Sequence, residues 1–532
     1  MSREKHLPDV LTVLVCLLVW AVFFPGLMST DSVVQYGEAL TGRYQDWHPP
    51  FMSILLHLVL VLGGGLGTLM LVQCLAGAFG VRALVLSALA LFQGDRLPAR
   101  RAAWLSLAVL LLLLVPVSPL AFYLMTFWKD VWAMVFLLWM TALLLDLHRL
   151  GASPGRLLAV AGLAAALGLV RHNAVVVLPL IGVAVWMAAR RRLGRPAAAA
   201  WAAAPLALYL VAGPLIDHAF AVRKHHPESQ VMVLDLVGLC AADRAACPRW
   251  LPWTWAHVLD PGALAAYRPG DVGFIYWDQP PHVDPAMGND YPRLRSEYLA
   301  ALRARPGLFA RVKLEAFETL LGWRRTEYFV HESIVWNPYG LALGDTLAPV
   351  RRGLTFVVSR VGWNRRLRWV SGVHLVWILV NVAWVGGLLA AWRRTGEERY
   401  GFLAALLLIP LAYYFSYLAA TPGHDFRYMY PATLLIQCVT ASWALGELAV
   451  REQARRRSTP SAPRRAPDRD GPPPPEPGRE ESGEAEPFPA GVAVLTSSRI
   501  DALLLGAEYL QPVRNNKPKW RCGESGGPTS SR

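Results

Sequence analysis

The sequence predicts an all-α polytopic membrane protein of about ten transmembrane helices. It adds an outer-face interfacial helix, an extracytoplasmic loop domain and a disordered C-terminal tail. Three observations carry this. Of 532 residues, 54% are hydrophobic and only 17% charged, where a soluble chain carries roughly a quarter charged residues. The apolar residues come in long blocks such as 102–125 and 402–420, close to the roughly 20 residues a helix needs to cross a bilayer core. Arg-rich spacers separate the blocks, a repetition that buried core helices of a soluble protein do not produce.

The N-terminus is short and basic (Arg3, Lys5, His6) and runs into an apolar stretch ending near Met28. No small-x-small cleavage site follows, so it reads as a first span rather than a signal peptide. Spans are predicted near 8–28, 66–92, 103–124, 131–147, 157–170, 174–189, 197–216, 370–392, 400–420 and 430–449. Phe51–Leu62 is apolar but short, and Gly63, Gly64 and Gly65 close it. It is too short to span and is assigned to the outer interface. The chain thus divides into an N-terminal transmembrane region (1–216) containing a first outer loop (29–50) and the interfacial helix (51–64). An extracytoplasmic loop domain (217–369) follows, with helical stretches at 293–305 and 307–321. Next come the C-terminal transmembrane helices (370–450). Last is a Pro-, Arg- and Glu-rich tail (451–532), predicted to be disordered and cytoplasmic.

Orientation follows from charge. With the N-terminus inside, the cytoplasmic segments up to Arg457 hold eighteen Lys and Arg, among them Arg96, Arg100, Arg101, Arg190, Arg191 and Arg192. The short outer loops hold four: Arg43, Lys129, Arg171 and Arg427. This is the asymmetry of the positive-inside rule, and it places both termini in the cytoplasm of a multi-pass cell-membrane protein. The net charge of +14 is therefore a topology signal, not a nucleic-acid footprint. Cys16, Cys74 and Cys438 lie in apolar helices and read as packed thiols. Cys240 and Cys247 are close together in the long outer loop, where a local disulfide is plausible. There is no nucleotide-binding glycine loop, zinc motif or internal repeat.

Four polar clusters fall on the outer side in this topology. The first is Ser29–Thr30–Asp31 with Asp46–Trp47–His48–Pro49–Pro50. The others are Trp128–Lys129–Asp130, Arg171–His172–Asn173, and Gly423–His424–Asp425–Phe426–Arg427–Tyr428. Each alone has a bland reading, because a Lys–Asp pair or an Arg at a helix end often only snorkels or anchors. Their coincidence on one face points to a site, since ionisable groups at the bilayer edge are costly. Arg171, Lys129 and Arg427 have the chemistry of phosphate ligands. Asp31, then Asp46, are the candidate general bases. His48, Asp130, His424, Asp425 and Tyr428 are supporting candidates, with Asp130 read as a holder of Lys129. Trp47, Trp128, Trp250, Trp253 and Trp255 could stack on a ligand ring, though an aromatic belt is the commoner reason for such residues. Asp235–Leu236–Val237–Gly238 could belong to a cover over the site.

This layout resembles the GT-C-type membrane glycosyltransferases, relatives of protein O-mannosyltransferases and lipid A aminoarabinose transferases. Asp31 matches the acidic residue of their first outer loop. Asp46–Trp47–His48–Pro49–Pro50 is similar to the acidic and Pro-Pro element before a short interfacial helix. Asp425–Phe426–Arg427–Tyr428 with Pro431 is similar to their late Arg-Tyr-x-x-Pro element. The likeness spans roughly residues 1–450. It implies an inverting transfer of a sugar from a polyprenyl-phosphate donor to a lipid, glycan or protein acceptor at the extracytoplasmic face. The chain departs from the pattern at Ser32, where a second acidic residue would make a tandem pair. No cofactor is fixed, and a divalent metal is left open. The expected partners are the lipid-linked donor, an acceptor of unstated class and membrane lipids, with no nucleic acid. The competing classes are a surface-polysaccharide polymerase or ligase or another lipid-phosphate enzyme, a lipid-linked-glycan transporter or flippase, and a scaffold. Transporters favour repeated halves with midplane charges, and neither is visible. A scaffold leaves the clustered charges unexplained.

Overall fold

A computed structural model describes residues 6–115, 118–257, 259, 261–271, 290–322, 330–363, 368–421, 423 and 425–458. The remaining tail, including the separate unit 471–532 and the mildly apolar 491–510, lies outside them. Among the described residues there is no strand, and the helices run in chain order. The first ten are α1 Leu7–Phe23, α2 Thr30–Thr41, α3 Phe51–Val61, α4 Leu66–Gln93, α5 Ala99–Leu114, α6 Leu120–Leu124, α7 Lys129–Leu150, α8 Pro154–Val170, α9 Leu178–Leu193 and α10 Arg195–Ala219. The long intervening segment forms α11 Glu228–Ala242, α12 Cys247–Trp250, α13 Pro252–His257, α14 Pro261–Ala266, α15 Tyr291–Ala304, α16 Pro306–Leu321, α17 Ala348–Trp363 and α18 Arg368–Ser371. The chain closes with α19 His374–Thr395, α20 Glu398–Ala419 and α21 Tyr430–Ser458.

Among the described residues, seven stretches of helix are long and apolar enough to cross a membrane: Leu66–Arg96, Lys129–Leu150, His172–Leu193, Arg195–Ala219, His374–Thr395, Glu398–Ala419 and Tyr430–Arg456. They mark the chain as an all-α membrane protein, with fewer full-length spans than the ten predicted. The three other expected spans correspond to helices of 17, 16 and 17 residues, namely α1, α5 and α8. The expected span 103–124 is broken. Val115 is extended, as a residue before proline prefers, and α6 restarts only after Pro119. In the other direction, α21 runs past the expected end at 449 to Ser458, and there Glu447 and Glu452 pair with Arg451 and Arg456 at helical spacing. Its exposed face suits the i,i+4 rule for charged pairs.

Local signals set several boundaries. Ser153 caps α8, accepting a hydrogen bond from the Arg156 amide at 3.4 Å, with Pro154 in the first turn, where its missing N–H costs nothing. Arg190, Arg191 and Arg192 sit in the last turn of α9, where cations meet the negative end of the helix dipole. Gly396 ends α19 at φ +69°, a left-handed cap that L side chains disfavour. Among the packed pairs are α4 on α7 and α21, α7 on α8, α10 on α9, and α19 on α20.

The 217–369 segment is helical over much of its described length, including the two predicted stretches, found at α15 and α16. Val233, Leu236, Leu239, Leu294, Ala301 and Val312 bury a small apolar core there. Cys240 and Cys247 are joined as a disulfide with Cα atoms 5.1 Å apart. Trp250, Trp253 and Trp255 pack against this core rather than facing a cavity.

Three short backbone pairings tie together loops far apart in sequence. Leu27 pairs with Thr126, its amide donating to Met125 O (2.7 Å) and its carbonyl accepting from Phe127 (2.9 Å). Met28 pairs with Ile334, its carbonyl accepting from Val335 (3.1 Å). Gln45 pairs with Arg223, whose amide donates to Tyr44 O and whose carbonyl accepts from Asp46, each at 3.0 Å. Buried backbone groups need such partners. Here the partners also fix where the loop side chains stand.

Candidate active site

A cavity of about 1230 Å³ opens where these loops meet, and Asp31, Asp46, His48, Lys129, Arg171, Asp425, Arg427 and Tyr428 all line it. Asp31 stands in the first turn of α2. Its helix is started by a capping box in which the Ser32 hydroxyl accepts from the Ser29 amide at 3.2 Å. The same Ser32 hydroxyl donates to Phe127 O at 2.6 Å, and Ser32 is fully buried. A carboxylate there would be buried against a carbonyl oxygen, whereas a hydroxyl can both accept and donate.

Arg427 lies at the centre of the charged floor. Its Nη2 donates to Asp31 Oδ2 at 3.0 Å, and its Nε lies 3.0 Å from Asp425 Oδ2. The guanidinium sits 4.7 Å above the Trp128 ring, and the Trp128 indole N–H is held by Ser29 Oγ at 2.9 Å. Such stacking suits a planar cation. Trp128 therefore supports Arg427 from behind. It does not line the cavity.

Lys129 and Asp130 turn opposite ways. The Lys129 ammonium meets His48 Nδ1 at 3.2 Å, whereas Asp130 pairs with Arg171 Nη2 at 2.5 Å. Asp130 therefore does not hold Lys129, the role read for it from sequence. Consecutive residues on a helix point about 100° apart, so neighbours in sequence meet different partners. Lys129 has no carboxylate within 4.0 Å among the described residues. Arg171 also donates to the Tyr417 hydroxyl at 2.9 Å and lies 4.9 Å from the Tyr428 ring centre. Asn173 donates to Ser416 Oγ at 2.8 Å, so the third cluster is docked on the C-terminal end of α20.

His48 stands between Lys129 and Asp31. Its Nε2 is 3.8 Å from Asp31 Oδ1. Burial, reinforced by Lys129, pushes the imidazole down to about 3, so the ring is neutral at physiological pH. An ammonium can only donate, so Nδ1 accepts and the ring proton sits on Nε2, towards Asp31. Burial alone would raise the Asp31 carboxyl, but Arg427, then His48 and Lys129, outweigh it and hold it well below the usual carboxylate range. Asp31 is thus a carboxylate, 31% exposed to the cavity, with its basicity suppressed by Arg427.

Asp46 stands apart from this floor. Its Oδ1 accepts from the His225 amide at 2.5 Å, and Lys224 approaches its other oxygen at 3.8 Å while pairing with Asp217 at 2.6 Å. It anchors the 223–225 segment at the cavity rim. His424 lies outside the described residues. Asp235 is buried in α11, paired with Lys313 at 2.6 Å and accepting from the Tyr298 hydroxyl at 2.9 Å. Lys313 also donates to Ala419 O at 2.7 Å, so α16 is fastened to the end of α20. Sequence reasoning missed Tyr417, Lys224 and Lys313. The Tyr413–Tyr414–Tyr417 run at the end of an otherwise aliphatic helix was the available signal for the first.

Among the described residues no group of three or more His, Cys, Asp or Glu converges as a metal site. Asp31 and Asp425 are both engaged by Arg427, so these carboxylates do not fit a divalent-cation cradle. Comparison with protein-family models, curated proteins and solved structures finds no match.

Proposed function

We propose that this chain is a membrane glycosyltransferase that moves a sugar from a polyprenyl-phosphate donor to an acceptor at the extracytoplasmic face. The observation that supports it best is the convergence of Arg427, Lys129 and Asp31 in one cavity at the ends of apolar helices. A lipid phosphate brings an anion to this depth, and a guanidinium with a nearby ammonium is the chemistry that receives it. Lys129 is the better-placed cation to meet it first, because Arg171 is neutralised by Asp130. In this reading α1, α5 and α8 complete about ten spans, α3 lies in the outer interface, both termini are cytoplasmic, and the tail is a cytoplasmic extension.

The chemistry then runs as follows. The acceptor hydroxyl attacks the anomeric carbon, and its proton passes to an Asp31 oxygen. The bond from the anomeric carbon to the phosphate oxygen breaks, and the polyprenyl phosphate leaves with its electron pair, its charge met by Arg427 and Lys129. Donor phosphate and Asp31 compete for the same Arg427 Nη2. Phosphate that takes this contact relieves Asp31 of the cation suppressing its basicity, so the base gains strength only when a donor is present. Attack opposite the leaving group gives inversion.

The test is transfer from polyprenyl-phosphate sugars in membranes, comparing wild type with Asp31→Asn and Arg427→Ala at equal expression. Loss of at least about a hundredfold in both is expected. Full activity in both variants would overturn the assignment. Cysteine labelling near Asp31, Lys129, Arg171 and Gly423 should come from outside, and labelling from opposite faces would refute the topology.

A further inference from the structure

We infer that His374, a residue in none of the polar clusters, is the positioning residue that fixes Arg427 for the anion. The inference rests on the proposed phosphate-binding role of Arg427. Arg427 is carried by a single 3-10 turn, Phe426–Tyr428, and three residues of such a helix have little rigidity of their own. His374, at the start of α19, reaches across to this turn. Its Nε2 lies 3.0 Å from Phe426 O, the carbonyl joined directly to the Arg427 amide, and its ring stacks on the Phe426 ring at 4.3 Å and 16°.

The far side of the ring is equally tied. His374 Nδ1 lies 2.7 Å from Thr433 Oγ1, and that oxygen lies 2.8 Å from the Tyr414 hydroxyl. A carbonyl can only accept, so the ring proton is on Nε2. Nδ1 then accepts from Thr433, and Thr433 accepts from Tyr414. The result is one directed relay from α20 through α21 to α19, ending on the backbone that presents Arg427. All of its side chains are buried. The Phe426 ring also meets Tyr430 at 5.6 Å and Tyr123 at 6.4 Å. With the turn tied by His374 and packed by these rings, the guanidinium is held over Trp128 before any ligand arrives, and this lowers the ordering cost of binding.

The test uses full-length protein in detergent and three forms: wild type, His374→Leu and His374→Gln. Leu fills the space without a donor. Gln places an amide nitrogen where Nε2 stands. Amide hydrogen exchange over 425–430 is read without ligand, and binding of undecaprenyl phosphate is titrated in parallel. His374→Leu is expected to speed exchange in this turn and to weaken binding roughly tenfold. His374→Gln should restore both to within about twofold, a rescue that pure space-filling would not give. Unchanged exchange in His374→Leu, or equal behaviour of Leu and Gln, overturns the inference. If wild type ignores undecaprenyl phosphate, the proposed function fails instead, and the exchange comparison still decides whether His374 holds the turn.

Discussion

His48 gives the sharpest prediction, because its environment fixes both the sign and the size of an effect. The ring is buried against Lys129 and pushed down to about 3, while an unfolded histidine titrates near 6.5. Protonation is therefore favoured in the unfolded state below pH about 6.5. Stability contributed by the neutral ring is complete above that value and is lost steadily as pH falls towards 3, at about 1.4 kcal/mol per unit. At pH about 5 the loss is ~2 kcal/mol, or ~30-fold in the unfolding equilibrium. His48→Gln keeps a polar group between Lys129 and Asp31 but removes the titration. Unfolding of both proteins in detergent is compared at pH about 7.5 and about 5. His331, held down to about 4 by burial and Arg427, contributes equally to both and cancels. Wild type should lose ~2 kcal/mol more than His48→Gln over this interval. Parallel losses would refute the buried, neutral assignment of His48 and with it the tautomer that points a proton at Asp31.

Asp130→Asn should destabilise the protein by about 3–5 kcal/mol, because it leaves Arg171 buried without its counter-charge, whereas Asp130→Leu combined with Arg171→Met should recover most of that loss. A double variant as unstable as the sum of the singles, in the same denaturation assay, would contradict the pairing. Lys129→Gln should weaken undecaprenyl phosphate binding about tenfold or more while leaving the melt nearly unchanged, and an equal affinity would remove Lys129 from the anion site. The Cys240–Cys247 bridge closes a short loop, with a sequence separation of 7. Reduction should cost about 2–3 kcal/mol locally and expose α11 and α12 to proteolysis. A protease pattern insensitive to reductant would argue against it.

The membrane class, most helices and the polar clusters are readable in one dimension, because a bilayer demands long apolar stretches and makes charge at their ends conspicuous. Composition reports burial well, and burial dominates here. The broken span at 115–119 was also within reach, since Pro116 and Pro119 stand in the sequence. Its consequence was not: the break frees residues 120–128 to reach the loop after α1 and pair Thr126 with Leu27.

What only the tertiary structure decided is which charge answers which. Lys129 and Asp130 are adjacent in sequence yet serve different partners, His48 and Arg171, because a helix turns neighbours apart. Asp31 and Arg427 meet across almost 400 residues, and Asp46 is drawn to the 223–225 backbone instead. His374 is a lone polar residue at the head of an apolar helix, and the fold brings Phe426 and Thr433 to its ring and Tyr414 to Thr433. The physical reason is general. Hydrophobic patterning is local and additive along the chain, so sequence carries it. Ion pairs and hydrogen bonds depend on distances of a few ångströms between segments remote in sequence, and only packing sets those distances.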